Sequence, residues 1–517
     1  MSSSPLDLPR LACLIVLIAV PVSGFGQEQL LHDRWVAVQT EHFSIISQVS
    51  ARQTTRFADA LETWRQLAAY VIQDESPFPP ARVPNYVYLF DDSESLQHFT
   101  VGDATAFFHP TPRANFMALV ANDEESFSIA THHYVHFLVR NFSDLRLPRW
   151  YEEGLSGYLA RVQINRGRAQ FERFSREDND LTLALSETLS MDRLLYRDDA
   201  LASPRLVRIA NLKSETLLHY FLHGYEEEGF SDHRLALQNY LGLLLDGRNS
   251  RFAYDQAFDL TTVQLDADFH NYLLQSSRPR GNIEYGVLSE NPDYSASEIE
   301  SGRLAVLFAE LALNSGRMQN AQLFFQAALD SGTEIARSYS GMGDALRMQD
   351  LEGIDQTIAH YFEQAVAIST DDPDILMDYG EYWEAELSNC EKTYPAGQRG
   401  LILADIRHHF ERTVVLVPDN PEANLAMAQL YLLEGQNWQA GLDYQRRAFA
   451  LLPADTFIME QAIKYSIAAD DYDEAERLIT KMAQPIHFWG EPGIVTDLRK
   501  RLLSKRRNEP YDACAED

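Results

Sequence analysis

Two histidines spaced four residues apart are the side chains of this sequence best suited to bind a metal ion. His132 and His136 lie in an apolar run that ends at Phe137-Leu138-Val139. On an α-helix, residues four apart lie on one face, one turn above the other. Two imidazoles presented in this way can bind one zinc ion, which then needs a third protein ligand. The spacing therefore predicts a metal site on a helix.

The residue after the first histidine decides what such a site can do. In the H-E-x-x-H motif of zinc peptidases, the Glu after the first His is the general base that activates the metal-bound water. Here that position holds His133. The sequence therefore contains the two metal-binding histidines of the motif and lacks its base.

Two predicted helices position the candidate ligands. Asn122 or Asp123 caps the helix that carries the histidines, with Glu124 and Glu125 in its first turn, and this helix ends near Asn141. A turn then leads to the next helix.

The second helix begins at Pro148, which suits the first position of a helix. Gly154 and Gly157 lie within its helical pattern, where each costs about 1 kcal/mol relative to Ala. This cost indicates that a neighbouring element approaches the glycines closely, and the preceding helix is the predicted neighbour.

The N-terminal half mixes strands with helices. Four segments rich in β-branched and aromatic residues are predicted strands: 35–40, 42–47, 86–90 and 115–120. Apolar residues at three- and four-residue spacing predict a helix over 52–72. Residues 163–186 suggest a hairpin and a loop, and the pattern becomes helical from 190 to 274.

The C-terminal half repeats with a period near 34 residues, and each unit is predicted to be two helices. The fourth unit fits the pattern best, at Ala428, Tyr431, Ala440, Tyr444, Ala448 and Pro453. This pattern resembles the tetratricopeptide repeat. Stacked helix pairs make a continuous core and a concave surface, because one pair alone cannot bury its apolar face. We predict a polar linker over 278–300, repeats over 301–484, and a capping helix with a tail over 485–517.

Residues 35–274 resemble the peptidase-MA-like gluzincin domain that is found fused to tetratricopeptide repeats in bacterial envelope proteins. Three segments carry the resemblance: the His-His-Tyr-Val-His run of 132–141, the Trp-Tyr-Glu-Glu-Gly run within 147–155, and the ending at 257–273. The resemblance implies an α+β gluzincin-like domain over residues 27–277, followed by an all-α tetratricopeptide-repeat solenoid.

The resemblance also implies which residues bind zinc. The family's third metal ligand is the Glu of a W-x-x-E-G segment, so the implied ligands are His132, His136 and Glu153, with Glu152 as the neighbouring alternative. The family also tends to carry a His-Tyr pair on a later helix, where this chain has His219-Tyr220. Either residue could hydrogen-bond a substrate carbonyl, and packing in the core is the alternative.

His133 leaves three functions open for this domain. It could bind zinc without cleaving peptides, hydrolyse its substrate with His133 or a bound water as the base, or hold no metal and serve as a folded platform. Joint ligation by His133 and His136 is also open, because the two are three residues apart. We expect a zinc-metallopeptidase-like protein that does not cleave peptides, with a solenoid that binds a protein or peptide partner.

The charge and the N-terminus limit the partners and the compartment. The formal net charge is -32, which disfavours nucleic acid and anionic lipid as partners. Residues 1–26 are a predicted signal peptide, because Arg10 precedes an apolar segment too short to span a bilayer, and an uncleaved anchor is the alternative. No later segment is long and apolar enough to span a membrane. We expect export to the periplasm or the medium, where Cys390 and Cys514 could pair or stay free.

Overall fold

The structure is a computed structural model that describes residues 24–73, 81–100, 102–142, 146–165, 168–171, 189–196, 203–275, 282–283, 293–349, 351–435, 437–484, 492–511 and 514. Of the predicted signal peptide, residues 1–23 lie outside the described residues, and helix α1 (Gly24–His32) contains the rest. No helix among the described residues combines the length and the apolarity that crossing a membrane requires.

A six-stranded mixed sheet organises the N-terminal half. Its strands, in order across the sheet, are β4 (Ala106–Pro110), β5 (Asn115–Val120), β3 (Asn85–Phe90), β2 (Ser44–Ser47), β1 (Val36–Gln39) and β9 (Ala296–Glu298). β3 is parallel to β2 and to β5, and the other neighbours are antiparallel. The four predicted strands are all present, whereas β4 and β9 were not predicted.

Part of the predicted linker, residues 278–300, is in strands. β9 pairs with β1, and β8 (Asn282–Ile283) joins a small sheet with β6 (Val162–Asn165) and β7 (Arg168–Phe171). The prediction of a linker is therefore wrong for these strand residues. The two strands, Asn-Ile and Ala-Ser-Glu, are too short to show a strand pattern, and their backbone pairing depends on the partner strand. The linker residues 278–281 and 284–292 lie outside the described residues.

Helices of the N-terminal half pack on the main sheet, and further helices pack on these. The helices of the N-terminal half are α2 (Ala51–Gln73), α3 (Ser93–Gln97), α4 (Glu124–Phe142), α5 (Arg149–Ala160), α6 (Met191–Tyr196), α7 (Pro204–His223), α8 (Arg234–Leu245), α9 (Ser250–Ala257) and α10 (Thr262–Leu273). α5 packs against both α4 and α7. α4 and α5 are the two helices predicted to carry the candidate ligands.

The close approach at the glycines of α5 involves a different neighbour from the one predicted. A Cβ added to Gly154 would lie 2.8 Å from the backbone oxygen of Ser214, and one added to Gly157 would lie 3.0 Å from the side chain of Glu215. Both of these residues belong to α7, so the prediction that the glycines face the preceding helix is wrong. α4 packs on α5 elsewhere, since a helix has more than one contact face.

The C-terminal half consists of helix pairs, as predicted. They are α11 (Ser301–Asn314) with α12 (Met318–Ser331), α13 (Ile335–Arg347) with α14 (Asp355–Ile368), α15 (Pro373–Ser388) with α16 (Ala396–Leu416), α17 (Pro421–Glu434) with α18 (Leu442–Leu451), and α19 (Thr456–Ala468) with α20 (Tyr472–Met482). The first helices of successive pairs contact one another, so they form one continuous layer. α21 (Gly493–Arg506) packs on α19 and α20, where a capping helix was predicted.

The first helix pair and the sheet share one hydrophobic core. Because side chains alternate along a strand, Val87 and Leu89 face the core under α2 and α4, while Tyr88 and Phe90 face α11. The hydroxyl of Tyr88 donates a hydrogen bond of 3.0 Å to the backbone oxygen of Leu307. The first helix pair of the repeats therefore packs directly on the N-terminal sheet.

A disulfide joins Cys390 to Cys514, with the Cα atoms 5.5 Å apart. Cys390 follows the end of α15, and Cys514 follows α21. The bond therefore ties the C-terminal end of the chain back to the third helix pair, across 124 residues.

Candidate metal centre

The contact between α4 and α5 brings three candidate donor atoms together. His132, His136 and Glu153 each offer one atom to a group in which all atoms lie within 4.8 Å of one another. The two Nε2 atoms are 3.2 Å apart, and Glu153 Oε2 lies 3.5 Å from that of His132 and 3.8 Å from that of His136. The described part of the chain holds no other such group.

The three side chains differ in exposure. Those of His136 and Glu153 are 2% and 1% exposed, while that of His132 is 20% exposed. Two donors are thus fixed inside the protein and the third borders solvent. This arrangement gives an ion or a water molecule a way into the group.

Glu152, which is the alternative to Glu153 as a ligand, contacts His136 at Nδ1 and not at Nε2. Its Oε1 lies 3.2 Å from His136 Nδ1, and Arg140 Nε donates a hydrogen bond of 2.5 Å to the same oxygen. Because an ionised carboxylate only accepts, Nδ1 carries the hydrogen of this bond, and in the neutral imidazole the lone pair of His136 therefore lies on Nε2. This hydrogen bond therefore orients Nε2 toward His132 and Glu153, as metal-binding histidines are usually oriented.

The charges around His136 favour this arrangement. Burial alone would raise the pKa of Glu152, but its hydrogen bond with His136 and the charge of Arg140 lower that pKa to about 2. Burial would likewise lower the pKa of His136, but the hydrogen bonds with Glu152 and Glu153 hold it above its ordinary value. The group attracts positive charge, which a proton or a metal cation can supply.

His133 lies beside the three-atom group and is not a member of it. Its ring centroid is 5.5 Å from that of His132, and the side chain is half-buried. In the three-atom group, His136 lies with His132, which is four residues away, and not with His133. What His133 contributes chemically stays a prediction.

The predicted pair His219 and Tyr220 lies on α7, where both side chains are 1% exposed. His219 Nδ1 is 2.8 Å from the hydroxyl of Tyr272, and its ring packs on that of Phe171. The hydroxyl of Tyr220 is 3.1 Å from His233 Nε2. These contacts account for both residues as core side chains, and their role toward a substrate stays a prediction.

Arg140 is the residue of this site that sequence reasoning missed. Besides holding Glu152, it donates a hydrogen bond of 3.0 Å from Nη1 to the backbone oxygen of Gln484, just beyond α20. The signal was its place four residues after His136, on the same helix face. Arg140 and Gln484 are 344 residues apart in the sequence, and a local sequence pattern cannot predict a contact over that separation.

No family model matches the chain, and no curated protein matches it. Among solved structures, the chain is similar to a thermophilic tetratricopeptide-repeat protein of Thermus thermophilus. The identity is 16% and the TM-score 0.32, over 40% of this chain and 99% of that protein. The repeat architecture therefore rests on the helix pairs themselves, and the gluzincin-like domain stays a prediction.

Proposed function

We propose that the N-terminal half binds one zinc ion and does not cleave peptides, and that the helix pairs bind a protein partner. The observation that carries the proposal is the convergence of His132 Nε2, His136 Nε2 and Glu153 Oε2 within 4.8 Å. Two imidazoles and one carboxylate form one of the common protein ligand sets of zinc, with a fourth position for water or substrate.

The surroundings of the three atoms fit this ion. Glu152 on His136 Nδ1 is the kind of outer hydrogen bond that fixes a metal-binding imidazole and raises its basicity. The partial exposure of His132 leaves a side from which an ion can enter. When bound, zinc would lower the pKa of a bound water toward 7 and polarise a carbonyl group.

The missing base argues against peptide cleavage. A peptidase of this kind needs a group that takes a proton from the water and returns it to the leaving amine. His133 occupies the position of the family's Glu. An imidazole cannot place its nitrogen where an extended carboxylate would reach, so we expect His133 to perform that transfer poorly.

Zinc content of the purified protein tests the site. We expect about one zinc per chain in the wild type, and almost none in His132→Ala or Glu153→Ala, because two donors hold the ion too weakly. His408→Ala, which changes an exposed histidine far along the chain, should keep the wild-type content. No zinc at saturating metal, or equal loss in all three variants, would refute the proposal.

The variant His133→Glu tests why the protein does not cleave peptides. We expect the wild type to leave casein intact and His133→Glu to gain cleavage that a chelator abolishes. Chelator-sensitive cleavage by the wild type would refute the inactive assignment and favour a base other than Glu. A His133→Gln variant is the matched control, because it changes the side chain without adding a base.

The compartment is part of the proposal. We infer that residues 1–26 are removed on export and that the mature protein works in an oxidising compartment. The disulfide between Cys390 and Cys514 supports this, because such bonds persist mainly outside the cytosol. The mass of the protein recovered from an exporting host tests it, since a mature chain that retains residues 1–26 would contradict removal.

A further inference from the structure

A cavity of about 1330 Å³ lies between one part of the main sheet and the first helices of the helix pairs. Aromatic side chains from the strands, among them Tyr86, Phe107 and Phe116, form one wall. Helices α11, α13, α15 and α17 form the opposite wall, which is charged. Ligand pockets for small molecules usually measure about 300–1,000 Å³, so this cavity has room for several residues of a peptide.

The charged wall carries more acid than base. Eight carboxylates and four arginines line the cavity. Carboxylates this close to one another repel unless cations lie between them. The excess therefore gives the cavity a preference for positively charged groups.

Two arginines show how the wall binds such groups. Arg113, from the turn before β5, donates hydrogen bonds of 2.6 Å to Asp378 on α15 and to Glu422 on α17. Arg337 on α13 donates one of 2.8 Å to Glu310 on α11. Each guanidinium thus binds carboxylates of neighbouring helices, and that of Arg113 comes from the other half of the chain.

Further carboxylates are available to a ligand. Among the described residues, Glu381 has no ion pair with Lys, Arg or His, and Asp344 is paired with Arg347 of its own helix at 3.0 Å. Burial and the charge of Glu422 hold the pKa of Glu381 well above its usual range. Burial and the charge of Asp378 raise the pKa of Asp344 to about 6. Both carboxyl groups therefore ionise less readily than free ones, and a cation bound beside them would favour their ionised form.

We propose that this cavity binds a segment of a partner protein that carries Lys or Arg beside an aromatic residue. The cationic group would bind Glu381 and Asp344, and the aromatic side chain would pack on Tyr86 and Phe116. This inference rests on the proposed partner-binding function of the helix pairs and names the chemistry of the partner. The net charge of -32 would also speed the approach of a cationic segment.

Binding of a defined peptide to the full chain tests the proposal. The probe is a fluorescein-labelled hexapeptide of alternating Arg and Phe, and its counterpart has citrulline, a neutral isostere, in place of each Arg. By fluorescence anisotropy at physiological salt, we expect saturable 1:1 binding of the first peptide. The citrulline peptide should bind at least about tenfold more weakly, because its side chains lack the charge that the carboxylates attract.

Paired variants separate the cavity from the overall charge. Glu381→Gln with Asp344→Asn should weaken binding about tenfold or more. Glu352→Gln with Asp419→Asn makes the same two side-chain changes at exposed positions outside the cavity and should change binding less than about twofold. Equal weakening in both pairs, equal binding of the citrulline peptide, or no saturable binding would overturn the proposal.

A photo-crosslink to the wild-type chain gives a readout that does not depend on a variant folding. With a benzophenone in place of one Phe, we expect crosslinks in the residues that line the cavity, and crosslinks elsewhere would overturn the proposal. A protein partner that binds equally well to the Glu381→Gln, Asp344→Asn chain would also overturn it. That result would leave the partner-binding function of the helix pairs standing.

Discussion

The variant Glu152→Gln is expected to weaken zinc binding without removing a ligand. Glu152 lies 3.2 Å from His136 Nδ1, its side chain is 3% exposed, and Arg140 holds its other side. The amide is nearly the same size as the carboxylate, so packing is kept. The variant loses the negative charge that makes His136 Nε2 a stronger ligand for zinc.

The expected loss follows from that contact. A buried hydrogen bond to a charged group contributes about 1.5–3 kcal/mol, and about 1.4 kcal/mol corresponds to a factor of ten in affinity. We therefore expect a zinc dissociation constant about 10–100 times larger, the range found for outer hydrogen-bond partners of metal-binding histidines. Competition with a fluorescent zinc chelator at constant pH measures it.

A second buried His–Glu pair supplies the control. His42 Nδ1 lies 2.8 Å from Glu62, whose side chain is also 3% exposed, and this pair joins the segment before β2 to α2 rather than α4 to α5. Glu62→Gln should cost similar stability and leave zinc affinity unchanged. Equal affinity in Glu152→Gln and the wild type would refute the reasoning, and so would an equal loss in Glu62→Gln.

Three further predictions concern stability. Gly154→Ala should destabilise the protein by about 1–3 kcal/mol in urea unfolding, because the new Cβ meets a backbone oxygen at 2.8 Å, whereas Gly242→Ala, in open space on α8, should stabilise it by about 0.5–1 kcal/mol. Asp344→Asn should stabilise the protein by about 2 kcal/mol above pH 6 and by little near pH 4. The raised pKa means that ionisation of Asp344 is unfavourable in the folded state alone. The free-energy cost of that ionisation therefore grows between the unfolded pKa near 4 and the folded pKa of about 6. Equal gain at both values would contradict this. Reduction of the Cys390–Cys514 bond should lower the melting temperature, with about 2–5 kcal/mol lost, and no change would argue that the thiols are free.

Local patterns predicted most of the elements. Alternation and residue type gave β1, β2, β3 and β5, and helical spacing gave α2, α4 and the repeat pairs. β4 and β9 were missed because an edge strand is defined by hydrogen bonds to its neighbour, which side-chain types in one segment do not reveal. Gly154 correctly indicated a close approach, but which helix approaches is a matter of tertiary packing.

In the candidate site, too, local features were predicted from the sequence and long-range contacts were not. His132 and His136 share a helix, and Glu153 comes from the next one, so the three residues are close in the sequence as well as in space. The contact of Arg140 with Gln484 depends on the whole course of the helix pairs around the N-terminal half. The large cavity depends on that packing too, since its two walls come from the sheet and from four successive first helices.

Zinc K-edge X-ray absorption on the full chain, loaded with one equivalent of zinc, tests the metal site most directly. The proposal predicts imidazole scattering from two nitrogens at about 2.0–2.1 Å and a carboxylate oxygen at about 2.0–2.2 Å. It also predicts that His136→Ala removes one imidazole from the spectrum. A sulfur at about 2.3 Å, a shell of oxygens alone, or a spectrum unchanged in His136→Ala would contradict a site made of His132, His136 and Glu153.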